Sequence, residues 1–235
     1  MKKTFLLSCL MLAAMPVMAA YTGHVYVDKN KNGVFDQSEK PLAGIKVSDG
    51  LNVVETAADG SFTLPGHERE RFIFITTPSG YKTFNRHYHK IEKKQSGYDF
   101  GLIPYSGRIR KDGSHRYIHI TDTEIFNTEN HADWVNNVHD YARNEQAAFI
   151  IHTGDICYEK GLKAHIKLMN TENMDCPVFY CIGNHDLVKG KYGEELFESI
   201  YGPVYYSFDA GNVHYIVTPM PGGDHAPGYT ADDVC

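Results

Sequence analysis

Residues 176–186 read CPVFYCIGNHD, an apolar run that ends in a glycine, an amide, an imidazole and a carboxylate. A short apolar run with this ending is typical of a buried strand that leads into a loop. We expect Gly183 to let the backbone turn tightly at the carboxyl end of the strand. The loop would then crowd Asn184, His185 and Asp186 into one place.

Two earlier segments are built in the same way, RYIHITD at 116–122 and AAFIIHTGD at 147–155, and helix-like segments separate the three. Apolar strands that alternate with amphipathic helices predict βαβ units and a parallel sheet buried on both faces. The carboxyl ends of such strands share one edge of the sheet, where ligands bind. The first two strand ends would deliver Asp122, Glu124 and Asp155 to that edge. Clustered carboxylates repel one another without a cation between them, so we expect a metal site.

The order Asp122-x-Glu124, Gly154-Asp155 and Gly183-Asn184-His185-Asp186 resembles the calcineurin-like metallophosphoesterases over residues 114–235. The resemblance implies a two-metal phosphoesterase with Mn, Fe, Mg or Zn, acting on a phosphorylated small molecule or a phosphodiester. Two ions roughly 4 Å apart would clamp the phosphate and lower the pKa of a bridging water.

The same resemblance implies a role for each motif residue. Asp122 would hold the first ion, Asp155 would bridge both ions, and Asn184 would hold the second. His185, oriented by Asp186, would lie beside the scissile phosphate and protonate the leaving oxygen or hydrogen-bond a phosphoryl oxygen.

The first motif departs from the family, in which it is usually Asp-x-His. Glu124 occupies the histidine position, adds negative charge and favours manganese, magnesium or iron over zinc. The segment GDICY at 154–158 also fits the Gly-Asp-x-x-Tyr of the purple acid phosphatase branch, in which the tyrosine binds ferric iron. Because the chain has 16 tyrosines, an ordinary loop aromatic is the alternative interpretation of Tyr158.

The family completes its site with later histidines from a second sheet, and only His214 and His225 follow Asp186. His214 lies in GNVHYIVT, which predicts a strand of a hairpin and a structural role. His225 lies in PGGDHAPG, where no spacing argument supports it as a ligand. We therefore expect this chain to be the N-terminal portion of a longer protein and to be inactive alone.

The first half of the chain has a different character. Residues 21–106 contain short β-rich runs separated by glycine turns, which predicts a small antiparallel sandwich. The segment DKNKNGVFDQSE at 28–39 matches the calcium-loop pattern D-x-N-x-N-G-x5-E, with a glycine at the sharp turn. Its oxygen donors would come from Asp28, Asn30, Asn32 and Glu39, and from Asp36 directly or through water. Because strands flank the segment, a merely polar hairpin loop is the alternative.

The N-terminal stretch resembles the prealbumin-like sandwich that precedes phosphoesterase domains in secreted bacterial proteins. Residues 1–20 have a Lys-Lys start, an apolar middle and a small-residue end, which predicts a signal peptide and export to the periplasm or the outside of the cell. After its removal we expect no transmembrane helix. Loss of Lys2 and Lys3 takes the formal charge from −6 to −8. The mature chain therefore lacks the overall positive charge that is typical of nucleic-acid-binding proteins.

The sequence thus predicts an α+β protein with a signal peptide at 1–20, a β-sandwich at 21–106 and the first half of an α/β/β/α phosphoesterase domain at 107–235. Four cysteines remain after processing, enough for a single disulfide whose pairing the sequence does not give. The competing function is a non-catalytic, calcium-stabilised binding module of the cell envelope.

Overall fold

The computed structural model describes residues 20–106, 108–125, 131–156, 159–187 and 192–219. The first group of strands is β1 (Ala20–Val27), β2 (Lys40–Pro41), β3 (Lys46–Ser48), β4 (Val53–Glu55), β5 (Ser61–Pro65), β6 (Phe72–Ile75), β7 (Tyr81–Thr83), β8 (Tyr88–Lys90) and β9 (Phe100–Pro104). We call these nine strands the sandwich. Of the predicted signal peptide only Ala20, the first residue of β1, is described.

The remaining elements alternate strands and helices before a final hairpin. They are β10 (Tyr117–Ile120), α1 (His131–Asn144), β11 (Phe149–His152), α2 (Glu159–Leu168), β12 (Val178–Tyr180), a 3₁₀ turn (Asn184–Asp186), α3 (Glu195–Tyr201), β13 (Tyr206–Ala210) and β14 (Val213–Val217). We call this group the α/β unit. The mixture of many strands with three described helices confirms the predicted α+β class. No helix in the described ranges is long and apolar enough to cross a membrane.

The sandwich consists of two sheets that enclose an apolar core. One sheet has the order β2-β1-β9-β7, with β5 also paired to β1, and the other has the order β4-β3-β6-β8. Alternate side chains such as Phe62 and Leu64 on β5 point inward, as the period of a strand requires. They meet Ile73 and Ile75 of β6 in the core. Each such side chain contributes about 1.5–3 kcal/mol when it leaves water.

One strand pair departs from the predicted antiparallel arrangement. β1 and β9 run parallel, with Val25 opposite Phe100 and Val27 opposite Leu102. The chain between them is long enough to return to the same end of the sheet, because it forms the whole second sheet on the way. Every other described pair in the sandwich is antiparallel.

The predicted parallel sheet is present in the α/β unit, with the order β10-β11-β12. Ile150 at the centre of β11 lies opposite Ile118 on one side and Val178 on the other. β11 and β12 are almost completely buried. The expectation of burial on both faces is wrong for β10, because Tyr117 and His119 are exposed. Among the described strands β10 has a neighbour on one side only.

An aromatic interface joins the sandwich to the α/β unit. Phe72 and Phe74 of β6 belong to one buried cluster with Phe149, Phe179 and Phe208 of the α/β unit. The rings of Phe179 and Phe208 stack with their centroids 3.6 Å apart. The two groups of strands therefore pack on each other through apolar surface rather than through a solvated linker.

Candidate metal centre

The loops that follow β10 and β11 run side by side. The backbone N–H of Asp122 donates to the carbonyl oxygen of Gly154 at 3.1 Å, and that of Glu124 donates to the carbonyl oxygen of Asp155 at 2.9 Å. The parallel sheet therefore brings the first two motifs to one edge, as the sequence predicts. These two hydrogen bonds hold the loop after β10 against the loop after β11.

Two glycines allow the loops after β11 and β12 to touch. A Cβ atom on Gly154 would lie 2.3 Å from the backbone nitrogen of Gly183, and one on Gly183 would lie 2.1 Å from Asp155 Oδ1. Gly183 itself has extended backbone, with φ −102° and ψ 172°. A tight turn does begin at Gly183, since the backbone N–H of Asp186 donates to its carbonyl oxygen at 3.2 Å, but any residue can adopt this extended conformation. The position needs glycine because Asp155 approaches it too closely for any side chain.

Three of the predicted ligands have left-handed backbone conformations. The φ angles are 53° at Asp122, 41° at Glu124 and 54° at Asp155. Residues with a Cβ avoid this region, at a cost of order 1–3 kcal/mol for each sparsely populated conformation. Such strain persists where the surrounding structure imposes it, and it concentrates at functional sites. The backbone bonds between the two loops impose it here.

His185 connects the third loop to the other two. Its backbone N–H donates to Asp155 Oδ1 at 3.0 Å, and its ring Nδ1 lies 3.0 Å from Glu124 Oε1. Asp186 is fully buried, and its Oδ2 accepts the backbone N–H of Gly183 at 2.9 Å. The Glu124 carboxylate thus contacts the imidazole of His185. The orientation of His185 by Asp186 stays a prediction.

The donor chemistry of this edge fits divalent cations. Carboxylates from two loops and the half-exposed amide of Asn184 from the third are the oxygen ligands that hard cations prefer. Within the described ranges no lysine or arginine forms an ion pair with Asp122, Glu124 or Asp155. The ligand atoms of these three residues do not all lie within 4.8 Å of one another. Among the described residues, three ligand atoms come that close only in the sandwich. Metal binding would therefore have to draw these side chains inward.

His152 is a supporting residue that the sequence analysis missed. It is completely buried at the end of β11, where Nδ1 accepts the N–H of Gly154 at 3.2 Å. Its proton therefore lies on Nε2, which donates to Thr123 Oγ1 at 3.0 Å. Burial lowers the pKa of His152 to about 4 and keeps the ring neutral, as these two bonds require. Its position two residues before Gly154-Asp155 is the signal in the sequence that points to it.

Two more buried histidines lie behind His152. His165 on α2 is fully buried, and its Nδ1 lies 3.2 Å from Nε2 of His131 on α1. Burial lowers the pKa of both rings, that of His165 to about 2. In the described part of the chain no partner reaches Nε2 of His165. The helices that cover the sheet therefore contain imidazoles that must stay uncharged.

The predicted calcium loop folds around its acidic residues. Asp28 is 1% exposed, and its two carboxylate oxygens accept the backbone N–H groups of Asn32 and Gly33 at 3.2 and 2.9 Å. Glu39 is also buried and accepts the N–H of Asp36 at 3.2 Å. The structure thus brings the first and last residues of the motif into one loop.

The amides of the motif face the same centre. Asp36 Oδ2 accepts from the side chains of Asn30 and Asn32 at 2.7 and 3.2 Å. Gly33 has φ 73°, the left-handed turn that the motif predicts. The three acidic side chains of the loop do not form a three-residue group within 4.8 Å. Calcium binding stays a prediction for this loop.

The remaining predicted residues divide into described and undescribed ones. His214 lies exposed on β14, in the predicted hairpin, and its Nδ1 lies 2.7 Å from Oδ1 of its cross-strand partner Asp209. Cys176 and Cys181 are free. Tyr158 and His225 lie outside the described residues, as do Cys157 and Cys235.

The comparisons with known proteins agree with this geometry. The family model described as N terminal of Calcineurin-like phosphoesterase matches residues 29–104. The model described as Calcineurin-like phosphoesterase matches residues 115–230, which include all three loops of the candidate metal centre. The chain belongs to the calcineurin-like phosphoesterase family. The comparison with curated proteins gave no match.

Proposed function

We propose that this protein, once exported, hydrolyses a phosphate ester with two metal ions held at the carboxyl edge of the parallel sheet. Membership of the family assigns metal-dependent phosphoester hydrolysis in general. The observation that supports the finer proposal is the left-handed backbone of Asp122, Glu124 and Asp155, a conformational cost borne by three carboxylates in two adjacent loops.

Asp122, Asp155 and Asn184 are the residues that we assign to the ions. Asp155 lies between the other two loops, so it is the one placed to bridge. Glu124 or Tyr158 would occupy the histidine position of the family motif. When bound, divalent ions polarise phosphoryl oxygens and lower the pKa of water at neutral pH.

His185 acts on the substrate in this proposal. The Glu124 carboxylate 3.0 Å from Nδ1 supports a ring orientation in which Nε2 would face the phosphate or the leaving oxygen. The hydrogen bond from the His185 backbone to Asp155 fixes the ring's distance from the metal ligands. His152 holds the two carboxylate-bearing loops together through Thr123 and Gly154.

The substrate class is a phosphorylated small molecule or a phosphodiester. The discriminating experiment is metal content together with turnover of an aryl phosphate by the complete protein. Two tightly bound ions with turnover support hydrolysis. A protein that shows no turnover and holds no metal in the α/β unit, but still binds calcium in the loop at 28–39, would favour the non-catalytic envelope module.

Export and domain division belong to the same proposal. The basic start and apolar middle of residues 1–20 support a signal peptide. The two family models leave only residues 105–114 between them, which supports a boundary near 106. The metal would then act in the periplasm or outside the cell.

We also propose that the loop at 28–39 binds Ca²⁺. The near-complete burial of Asp28 and Glu39, with the backbone of Asp36 bonded to Glu39, concentrates negative charge in one loop. An ion bound only by the folded loop stabilises the sandwich by mass action. This site is structural and independent of hydrolysis.

A further inference from the structure

A second group of metal-type ligands lies in the sandwich. Asp49 follows β3, and His67 and Glu70 lie between β5 and β6. One ligand atom from each of the three residues lies within 4.8 Å of the other two. Neither the candidate metal centre nor the calcium loop uses these residues. We propose that Asp49, His67 and Glu70 form a Zn²⁺ site.

The position of His67 supports an ion between these groups. Its Nε2 is buried, and no hydrogen-bond partner reaches it in the described part of the chain. Nε2 lies 3.4 Å from Asp49 Oδ1, but without the geometry of a hydrogen bond. Ligand atoms bonded at ~2.0–2.1 Å in a tetrahedral zinc site lie roughly 3.3–3.4 Å apart. The spacing is that of two ligands of one ion.

The charge of the cluster also favours a cation. The Asp49 side chain is completely buried, and Glu70 is half-buried. Among the described residues no lysine or arginine forms an ion pair with either carboxylate. Glu70 accepts the hydroxyl of Tyr21 and the backbone N–H of His67. Asp49 accepts the backbone N–H groups of Leu51 and Asn52 and the side-chain amide of Asn52. These bonds orient the carboxylates without bringing positive charge, which a divalent ion supplies.

The mixed donor set selects the metal. Calcium and magnesium prefer sites made only of oxygen, whereas zinc accepts imidazole together with carboxylate. Nδ1 of His67 accepts the N–H of Arg69 at 3.2 Å, so the ring proton lies on Nε2 in the described conformation. Coordination at Nε2 moves that proton to Nδ1, which can then no longer accept the N–H of Arg69, so the backbone at Arg69 has to turn away when the ion binds. Three protein ligands leave a fourth position for water.

The site lies where the sandwich meets the α/β unit. Gly50, next to Asp49, packs against Tyr205, because a Cβ atom there would lie 2.7 Å from the tyrosine ring. Arg71, next to Glu70, forms a 2.8 Å ion pair with the buried Glu198. An ion shared by Asp49 and Glu70 therefore fixes the two segments of the sandwich that touch the α/β unit.

The test is a titration of the full chain with Co²⁺, a spectroscopic substitute for Zn²⁺, in excess Ca²⁺ so that the calcium loop is saturated. The parent should bind one more Co²⁺ ion than His67→Ala or Glu70→Gln, with visible bands of tetrahedral intensity that both variants lack. Glu68→Gln is the matched control, since Glu68 is exposed in the same segment, and it should behave as the parent.

Circular dichroism verifies that each variant is folded. If His67→Ala does not fold, Glu70→Gln decides, because it keeps the shape of the side chain. Equal Co²⁺ stoichiometry and equal visible spectra for the parent and Glu70→Gln would overturn the proposal. Loss of the bands in Glu68→Gln as well would also overturn it, since the site would then not be the one described. Neither result depends on hydrolytic activity.

Discussion

Nδ1 of His185 lies 3.0 Å from Oε1 of Glu124, so the carboxylate at the histidine position of the first motif contacts the imidazole of the third. Glu124 is half-exposed, with 41% of its side chain accessible. The second carboxylate oxygen therefore has room to ligate an ion. In the function proposed above, Glu124 would contact both the metal and the imidazole.

The coupling between Glu124 and His185 gives the first prediction. At saturating Mn²⁺, Glu124→Gln should lower kcat about 10-fold, because it weakens one charge-assisted hydrogen bond. His185→Ala should lower kcat by about 10²-fold if the imidazole is the acid. In the His185→Ala background, Glu124→Gln should lower kcat by clearly less than it does in the parent, because only its role at the metal remains to be lost.

The measurement is steady-state turnover of an aryl phosphate by the complete protein and its three variants. His214→Ala is the control, because that exposed histidine pairs with Asp209 across a hairpin. It should turn over as the parent does. Independent, multiplicative losses for Glu124→Gln and His185→Ala would show that Glu124 does not act through the imidazole.

The second prediction decides whether Glu124 or Tyr158 binds metal in place of the family's histidine. A tyrosinate bound to ferric iron absorbs visible light by charge transfer, whereas a glutamate gives no such band. We expect the protein loaded with iron to be colourless. A visible band that disappears in Tyr158→Phe would instead assign the histidine position of the motif to Tyr158.

The third prediction concerns the loop at 28–39. Chelation should lower the melting temperature, and Ca²⁺ should restore it more than Mg²⁺, whose octahedral geometry fits this loop poorly. In Asp28→Ala, Ca²⁺ added after chelation should no longer raise the melting temperature. Asp59→Ala is the control, since Asp59 bonds only to Ser61 in a neighbouring turn among the described contacts. An Asp28→Ala protein whose melting temperature recovers with Ca²⁺ as the parent's does would show that the loop is merely polar.

The fourth prediction follows from the buried histidines. His165 has a pKa of about 2 when folded, against 6.5 for an unperturbed ring. Below the unfolded pKa only the unfolded chain takes up this proton, so stability falls as the pH falls. The loss is about 1.4 kcal/mol per pH unit for each such ring, until the folded pKa is reached.

Urea unfolding at about pH 7.5 and about pH 5.5 measures this loss. His165→Phe should show a smaller decrease in the free energy of unfolding between the two pH values than the parent. His139→Gln is the control, because His139 lies at the surface of α1 beside Asp140. Equal decreases for the parent and His165→Phe would show that His165 is not held neutral by the fold.

The sequence predicts the strand ends better than it predicts what surrounds them. β11 and β12 follow from their apolar runs, and the parallel register that gathers Asp122 and Asp155 follows from βαβ periodicity. The role of Gly183 does not follow, since its need for glycine arises from Asp155, 28 positions earlier in the chain. His152 was missed for the same reason, because its partners lie in different loops.

The sandwich shows the same limit. The apolar sequences of β6 and β9 predict strands. The parallel pairing of β1 with β9, however, depends on contacts between distant segments of the chain. Asp49, His67 and Glu70 form no motif along the chain, and only the folded turns bring them together. Short strands such as β2 and β8 have too few residues to show a period.

The most direct test of the account is the metal content and aryl phosphatase activity of Asp155→Asn in the complete protein. Asp175→Asn is the matched control, because Asp175 is an exposed aspartate with φ 56°, close to the 54° of Asp155. We predict that Asp155→Asn loses both the metal of the α/β unit and hydrolysis, since a neutral amide bridges two cations poorly. Asp175→Asn should keep both. Unchanged metal stoichiometry in Asp155→Asn would contradict the account.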